Sequence, residues 1–223
     1  MDFRHELKHE INMSDMIAIR QRLRAVAKAD EHGQNGKYLV RSLYFDSLSD
    51  KTLREKIDGV NKREKFRIRY YNGDTGFIRL EKKSKLSGLG NKQSAEITAD
   101  EVRELLSGHT DWMVCSDRPL IQELYTKMKL EGLRPKTIVD YTREAFTYAP
   151  GNVRVTLDYD IRTATGCTEF LDQDCVTIPA GDAPIILEVK WDEFIPSIIR
   201  SAVQLDSRRS AAFSKYAQCR IYG

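Results

Sequence analysis

The 223-residue chain predicts an α+β fold built on antiparallel strands, and three observations carry that expectation. Five segments alternate apolar and charged residues with the period of two of a half-buried strand. Several intervals around them carry helix start and stop signals. No interval is long or polar enough to be a linker, and no repeat of fixed period occurs, so a single domain over residues 1–223 is expected.

In chain order, the first strand runs from Phe3 to Ile11. Arg4, Glu6, Lys8 and Glu10 share one face; Phe3, Leu7 and Ile11 share the other, together with His5 and His9, which are expected to be packed or surface residues rather than ligands. Ser14 opens a helix with an apolar stripe of Ile17, Ile19, Leu23, Val26 and Ala27, which runs out between Gly33 and Gly36. Ser42-Leu-Tyr-Phe-Asp46 reads as a strand whose aromatics fill the core, and residues 51–62 as solvated loop and helix. Lys65-Phe-Arg-Ile-Arg69 sets Lys65, Arg67 and Arg69 opposite Phe66, Ile68 and Tyr70; Phe77 to Lys85 sets Arg79, Glu81, Lys83 and Lys85 opposite Ile78 and Leu80. Gly88-Leu-Gly90 reads as a connection between basic residues. Thr98-Ala-Asp-Glu101 is a capping box, with threonine accepting from the third helical N–H and glutamate reaching back, and that helix stops near Gly108. Asp117 before Pro119 starts another, ending at Gly132. Val153 to Ile161 places Arg154, Thr156, Asp158 and Asp160 opposite Val153, Val155, Leu157 and Tyr159. Ile185 to Asp192 places Glu188, Lys190 and Asp192 opposite Ile185, Leu187, Val189 and Trp191, and a short helix follows from Pro196 through Leu205.

The bulk numbers exclude several classes. The longest apolar runs are a few residues, against the roughly 20 needed to cross a bilayer as a helix. Residues 1–10 carry charges throughout and lack the apolar region of a secretory signal, so a cytoplasmic location is expected. Cys115, Cys167, Cys175 and Cys219 form no C-x-x-C pair and have no histidines at metal-ligand spacing, which points to reduced, structural cysteines. A net charge of +3 conceals a local bias: residues 51–92 hold thirteen basic and five acidic residues, so the rest of the chain is net negative.

Glu-x-Lys recurs at Glu6/Lys8, Glu81/Lys83 and Glu188/Lys190, each time with both residues on the strand face away from the apolar one. Two arrangements account for this. One is an antiparallel sheet with a core face and a solvated face, whose cross-strand ion pairs contribute about 0.2–1 kcal/mol each. The other is a sheet curled so that helices cover the apolar face and the charged face points inward. The second needs a ligand, because Lys-x-Arg-x-Arg crowds like charges and a charged interior is costly unless paired. Arginine forks suit phosphate oxygens, and carboxylates suit a divalent cation that neutralises the rest.

Arg-His-Glu-Leu-Lys at 4–8, Ser-Leu-Tyr-Phe-Asp at 42–46, Lys-Phe-Arg-Ile-Arg at 65–69, Leu-Glu-x-Lys at 80–83, Tyr-Thr-Arg at 141–143, Val-Arg-Val-Thr-Leu-Asp at 153–158, Leu-Glu-Val-Lys at 187–190 and Ser-Lys-Tyr at 214–216 occur in that order. Together they resemble the VTC domain of polyphosphate polymerases, within the triphosphate tunnel metalloenzymes that also include CYTH phosphatases and RNA triphosphatases. The resemblance implies a closed antiparallel β-barrel tunnel of about eight strands with flanking helices. It implies phosphate binding by Lys8, Arg67, Arg69, Lys83, Lys92, Arg143, Arg154, Lys190, Ser214 and Lys215, with Arg67, Arg69, Lys8 and Lys190 as the catalytic group. Glu188 is the first choice for an Mn²⁺ or Mg²⁺ ligand. For Glu6, metal binding and lysine pairing stand as alternatives; for Glu81, pairing is preferred.

The implied reaction transfers the ATP γ-phosphoryl group to inorganic polyphosphate or triphosphate, with no catalytic histidine. A metal-dependent triphosphatase and a non-catalytic polyphosphate-binding module are the alternatives. Position 4 is Arg where the Glu-x-Glu-x-Lys signature of CYTH hydrolases has Glu, which favours the polymerase. The SPX sensor domain and membrane helices of eukaryotic family members are not in this sequence, so a membrane-protein partner would be a separate chain. Nucleic acid is not an expected partner: no base-reading motif is present and the pI is 8.6.

Overall fold

In a computed structural model that describes residues 5–31, 33, 36–86, 89–164, 166–182, 184–205 and 213–222, the chain is α+β with antiparallel strand pairing. The strands are β1 (His5–Ile11), β2 (Lys28–Ala29), β3 (Lys37–Asp46), β4 (Lys62–Tyr71), β5 (Asp74–Leu86), β6 (Leu89–Ile97), β7 (Arg134–Tyr148), β8 (Val153–Ala164), β9 (Ile178–Pro179) and β10 (Ile185–Trp191). The helices are α1 (Met13–Val26), α2 (Lys51–Ile57), α3 (Ala99–Leu106), α4 (Pro119–Glu131), α5 (Ser197–Val203) and α6 (Lys215–Tyr222). No described helix is long and apolar enough to cross a membrane. The chain divides into two compact units: Met1–Leu39, Tyr141–Ile161 and Pro179–Ser214 form the first, and Val40–Asp140, Arg162–Ile178 and Lys215–Gly223 the second.

In the first unit the strand order is β1-β10-β8-β7. Pairing aligns Glu6 with Lys190 and Lys8 with Glu188, then Glu188 with Thr156 and Lys190 with Arg154. Because neighbours directly opposite share a face, the charged residues form one continuous surface. The other surface, with Val153, Val155, Leu157, Ile185, Leu187 and Val189, packs on Met16, Ile19 and Leu23 of α1 and on Ile199 and Ala202 of α5. Burying each of these larger side chains contributes about 1.5–3 kcal/mol.

Three expectations change here. Asn12, not Ser14, caps α1, in a capping box with Asp15. The helix thus starts two residues earlier than expected, and its buried stripe is Met16, Ile19 and Leu23, with Ile17 45% exposed. Leu7, expected on a buried face, is 38% exposed. Asp160 has a φ of 50°, a left-handed conformation that breaks strand alternation and takes its side chain out of the predicted row. Phe3 and Arg4 lie outside the described residues.

In the second unit the order is β3-β4-β5-β6. Leu43, Phe45, Phe66, Ile68, Tyr70, Ile78, Leu80 and Ile97 form a core with Val102 and Leu105 of α3 and Leu120, Ile121 and Leu124 of α4. The Thr98–Glu101 capping box forms as the sequence predicts. The α4 start does not involve Asp117: Arg118 occupies the cap without a side-chain bond, Pro119 sets the first turn, and Gly132 closes the helix at a φ of 65°. Gly88 lies outside the described residues.

Candidate functional site

Each unit presents its own charged constellation. In the first, the offset register of β1 and β10 puts Lys8 beside two carboxylates: its Nζ lies 2.7 Å from Glu6 and 3.4 Å from Glu188. Lys190 bonds the other oxygen of Glu188, whose side chain is nearly buried. Burial alone would depress the Lys8 ammonium; the charges of Glu188 and Glu6 outweigh it and hold its pKa above the ordinary value. On β7, Arg143 forms a two-pronged bond to Asp158 of β8, at 2.6 and 2.7 Å, with Asp158 fully buried. That carboxylate overcomes the desolvation of the guanidinium and holds it charged. Arg154 donates to Asp30 at 2.6 Å and to the Tyr38 hydroxyl at 2.9 Å. Thr156, directly opposite Glu188, has a buried hydroxyl with no hydrogen-bond partner among the described residues.

In the second unit, Glu81 is the hub. Its carboxylate accepts from Arg67 at 2.8 and 3.0 Å and lies 2.7 Å from Arg69 and 2.6 Å from Lys92. Burial pushes the Glu81 carboxyl up, but Arg67 and Arg69 outweigh it and bring it down to about 2. Lys92 goes the other way: burial and the two guanidiniums outweigh Glu81, so its pKa is lowered even in contact with a carboxylate. Strand register continues the cationic face, with Lys65 opposite Lys83, Lys83 opposite Lys92, and Arg69 opposite Arg79.

Tyr44 is buried, as expected, but its hydroxyl serves this charged face. Successive strand residues point to opposite sides, so Phe45 enters the core while the Tyr44 hydroxyl accepts from Arg67 at 2.9 Å. The Tyr44 ring lies 5.1 Å from the Tyr216 ring, and the Tyr216 hydroxyl donates to Asp46 at 2.5 Å. Asp46 also accepts from the N–H groups of Thr52 and Leu53, capping α2. Lys215 therefore lies one residue from a ring that packs, tilted, against Tyr44, the Arg67 partner; Ser214, half-buried, precedes α6.

The sequence-predicted residues thus assemble as Lys8, Glu6, Glu188, Lys190, Arg143 and Arg154 in one unit, and Arg67, Arg69, Lys83, Lys92 and Lys215 in the other. Sequence reasoning missed Asp30, Tyr38 and Tyr44 as partners of the arginines. Asp158 was on the correct face, and its spacing of two from Thr156 was the available signal. His5 stacks on Trp191 at 5.3 Å between ring centroids, consistent with packing.

Among the described residues no group of three or more His, Cys, Asp or Glu side chains is placed to hold a metal. Glu6 and Glu188 nevertheless converge on one ammonium, so two carboxylates reach the neighbourhood of a single cation. A pair of hard oxygen donors, completed by water and substrate phosphates, is a set that Mg²⁺ accepts. The residues present fit such an ion.

The profile of the VTC domain matches residues 3–222, and the chain belongs to the VTC-domain family. No curated protein matches the sequence. Among solved structures, a Bacillus halodurans protein described as a "putative adenylate cyclase" aligns with a TM-score of 0.53 at 14% identity, over 85% of this chain and 80% of that one, and shows a shared fold. A Pyrococcus horikoshii protein aligns with a TM-score of 0.45 at 18% identity, over 90% and 84% of the two chains. Membership of the VTC-domain family suggests triphosphate- or polyphosphate-related phosphoryl-transfer chemistry, while the structural likeness shows the fold alone.

Proposed function

We propose that this protein is a metal-dependent polyphosphate polymerase that transfers the γ-phosphoryl group of ATP to the end of a growing inorganic polyphosphate chain. The observation that carries the reading is the cationic face around Glu81, where Lys92 is destabilised as a cation despite its carboxylate contact. Such a face gains when a polyanion arrives, and VTC family membership supplies the class of polyanion. In this reading the strands close into the tunnel that the resemblance implies, and the chain functions in the cytoplasm.

Arg67 and Arg69 grip the transferring phosphoryl oxygens, and Lys65, Lys83 and Lys92 track the chain. Arg143 and Arg154, each fixed by its carboxylate, hold phosphates at preset positions; Lys8 and Lys190 align the reacting ends, and Ser214 and Lys215 contact the chain from the start of α6. Glu188 and Glu6 would hold Mn²⁺ or Mg²⁺, which supplies charge neutralisation when bound. The terminal phosphate oxygen is already an anion, so no general base is required, and the rate comes from alignment and charge stabilisation.

The test incubates purified protein with ATP and Mn²⁺, resolves products on a polyphosphate gel, and runs tripolyphosphate with Mg²⁺ in parallel. Long chains are the expected result. Orthophosphate from tripolyphosphate without chains would replace the reading with a triphosphatase, and binding without turnover would replace it with a non-catalytic module.

A further inference from the structure

Within the second unit, the segment after β8 carries a cluster that phosphoryl transfer does not use. Cys167 Sγ and Cys175 Sγ lie 2.8 Å apart, both half-buried and neither in a disulfide. Packing between them brings the ends together. Phe170 is fully buried, 4.8 Å from the Tyr70 ring by centroids, and its carbonyl accepts the Tyr70 hydroxyl at 3.0 Å. The N–H of Asp172 donates to the Glu169 carbonyl at 3.1 Å, and that of Cys175 to the Asp172 carbonyl at 3.4 Å. Arg41, held on Asp140, also donates to the Asp172 carbonyl.

Two adjacent thiols serve either a soft metal or sulfur redox chemistry. A structural zinc takes about four ligands, and no further His, Cys, Asp or Glu completes such a group among the described residues. The surroundings favour redox chemistry. Cys167 Sγ receives the Glu169 N–H at 3.4 Å, and the nearby residues Gly166 and Glu169 are exposed, so a small disulfide in solvent has access to this sulfur. Burial and the contact with Cys167 push the Cys175 thiol up to about 12.

We propose that Cys167 and Cys175 are a reversible dithiol–disulfide pair that exchanges with low-molecular-weight disulfides of the glutathione class. The Cys167 thiolate attacks one sulfur of the small disulfide, breaking its S–S bond and releasing one thiolate. Cys175 then loses its proton to solvent or to the departing thiolate, attacks the Cys167 sulfur of the mixed disulfide, and expels the second small thiol. Both protein sulfurs are oxidised, the small disulfide is reduced to two thiols, and the protein loses two hydrogens. The bond would close the loop from Cys167 to Cys175 around the buried Phe170.

The experiment treats the full chain with oxidised glutathione, counts free thiols with a chromogenic disulfide reagent, and maps peptides by mass spectrometry. The expected result is a fall from four free thiols to two, a Cys167–Cys175 linked peptide, and full recovery with a dithiol reductant. Cys175→Ser is expected to stop at a glutathione adduct on Cys167. Retention of all four thiols, lasting glutathione adducts on the wild type, or linkage through Cys115 or Cys219 would each overturn the proposal. None of these outcomes depends on the phosphoryl-transfer assay.

Discussion

The two units treat a charged strand face differently. In the first, cations meet carboxylates in matched sets: Lys8 with Glu6 and Glu188, Lys190 with Glu188, Arg143 with Asp158 and Arg154 with Asp30. In the second, Arg67, Arg69 and Lys92 converge on Glu81, on a face that strand register extends with Lys65, Lys83 and Arg79. Two lysines record the difference. Lys8 is held above its ordinary pKa because carboxylates outweigh burial, while Lys92 is held below it because burial and guanidiniums outweigh the carboxylate. Contact with a carboxylate therefore does not settle whether a cation is satisfied; the balance of the surrounding field does. Matched pairs fix geometry; under the proposed function, the face where several cations share Glu81 is the one that would recruit a polyanion.

The largest expected effect comes from breaking a matched set. Asp158→Asn leaves the Arg143 guanidinium buried without its counter-charge, which typically costs about 3–5 kcal/mol. Urea unfolding is expected to show that loss, and an unfolding midpoint equal to wild type would mean that the pair carries no structural role. Next comes the surplus face. Arg67→Ala leaves Glu81 with Arg69 and Lys92, so the fold is expected to survive while chain synthesis on the polyphosphate gel falls by about 10²–10³-fold, as when an oxyanion donor is removed. Glu188→Gln is expected to lose activity similarly, and full activity in either variant would sink the assignment of these side chains.

Much of this comparison was legible before any coordinates. Period two placed Arg67, Arg69, Glu81 and Lys83 on one face because strand geometry forces alternation, and the Thr98–Glu101 box opened its helix because both donors lie within four residues. Pairings between distant segments were not legible. Asp30 and Tyr38 meet Arg154 from more than a hundred residues away, and nothing in the sequence ties them to it. Tyr44 is buried as its aromatic ring suggests, but only register against β4 shows its hydroxyl meeting Arg67. Cys167 and Cys175 carry no recognised spacing; a buried Phe170 brings them together.

Acid sharpens the contrast with a further effect of similar size. Glu81 has a folded pKa of about 2 against an ordinary 4.5, so its stabilisation is present above about pH 4.5 and is lost as the pH falls through 2. That interval corresponds to roughly 3 kcal/mol. Wild type is expected to lose that much more stability than Glu81→Gln between pH 5 and 2, and parallel pH profiles would show that Glu81 is not the hub.

The smallest effect isolates the surplus itself. The Lys92 ammonium is half exposed, so its contribution to stability stays under about 1 kcal/mol. Its folded pKa lies below the unfolded value, so the charged form opposes folding at neutral pH and that opposition fades as the pH rises toward 10.5. Lys92→Met is therefore expected to match or slightly exceed wild type in Tm at pH 7, and to lose that advantage in alkali. Added tripolyphosphate is expected to raise the wild-type Tm more than the variant's, because the ligand adds negative charge beside Lys92 beyond what Glu81, shared with two guanidiniums, supplies. A variant clearly less stable than wild type without ligand would make Lys92 a matched cation after all and would erase the distinction between the two units.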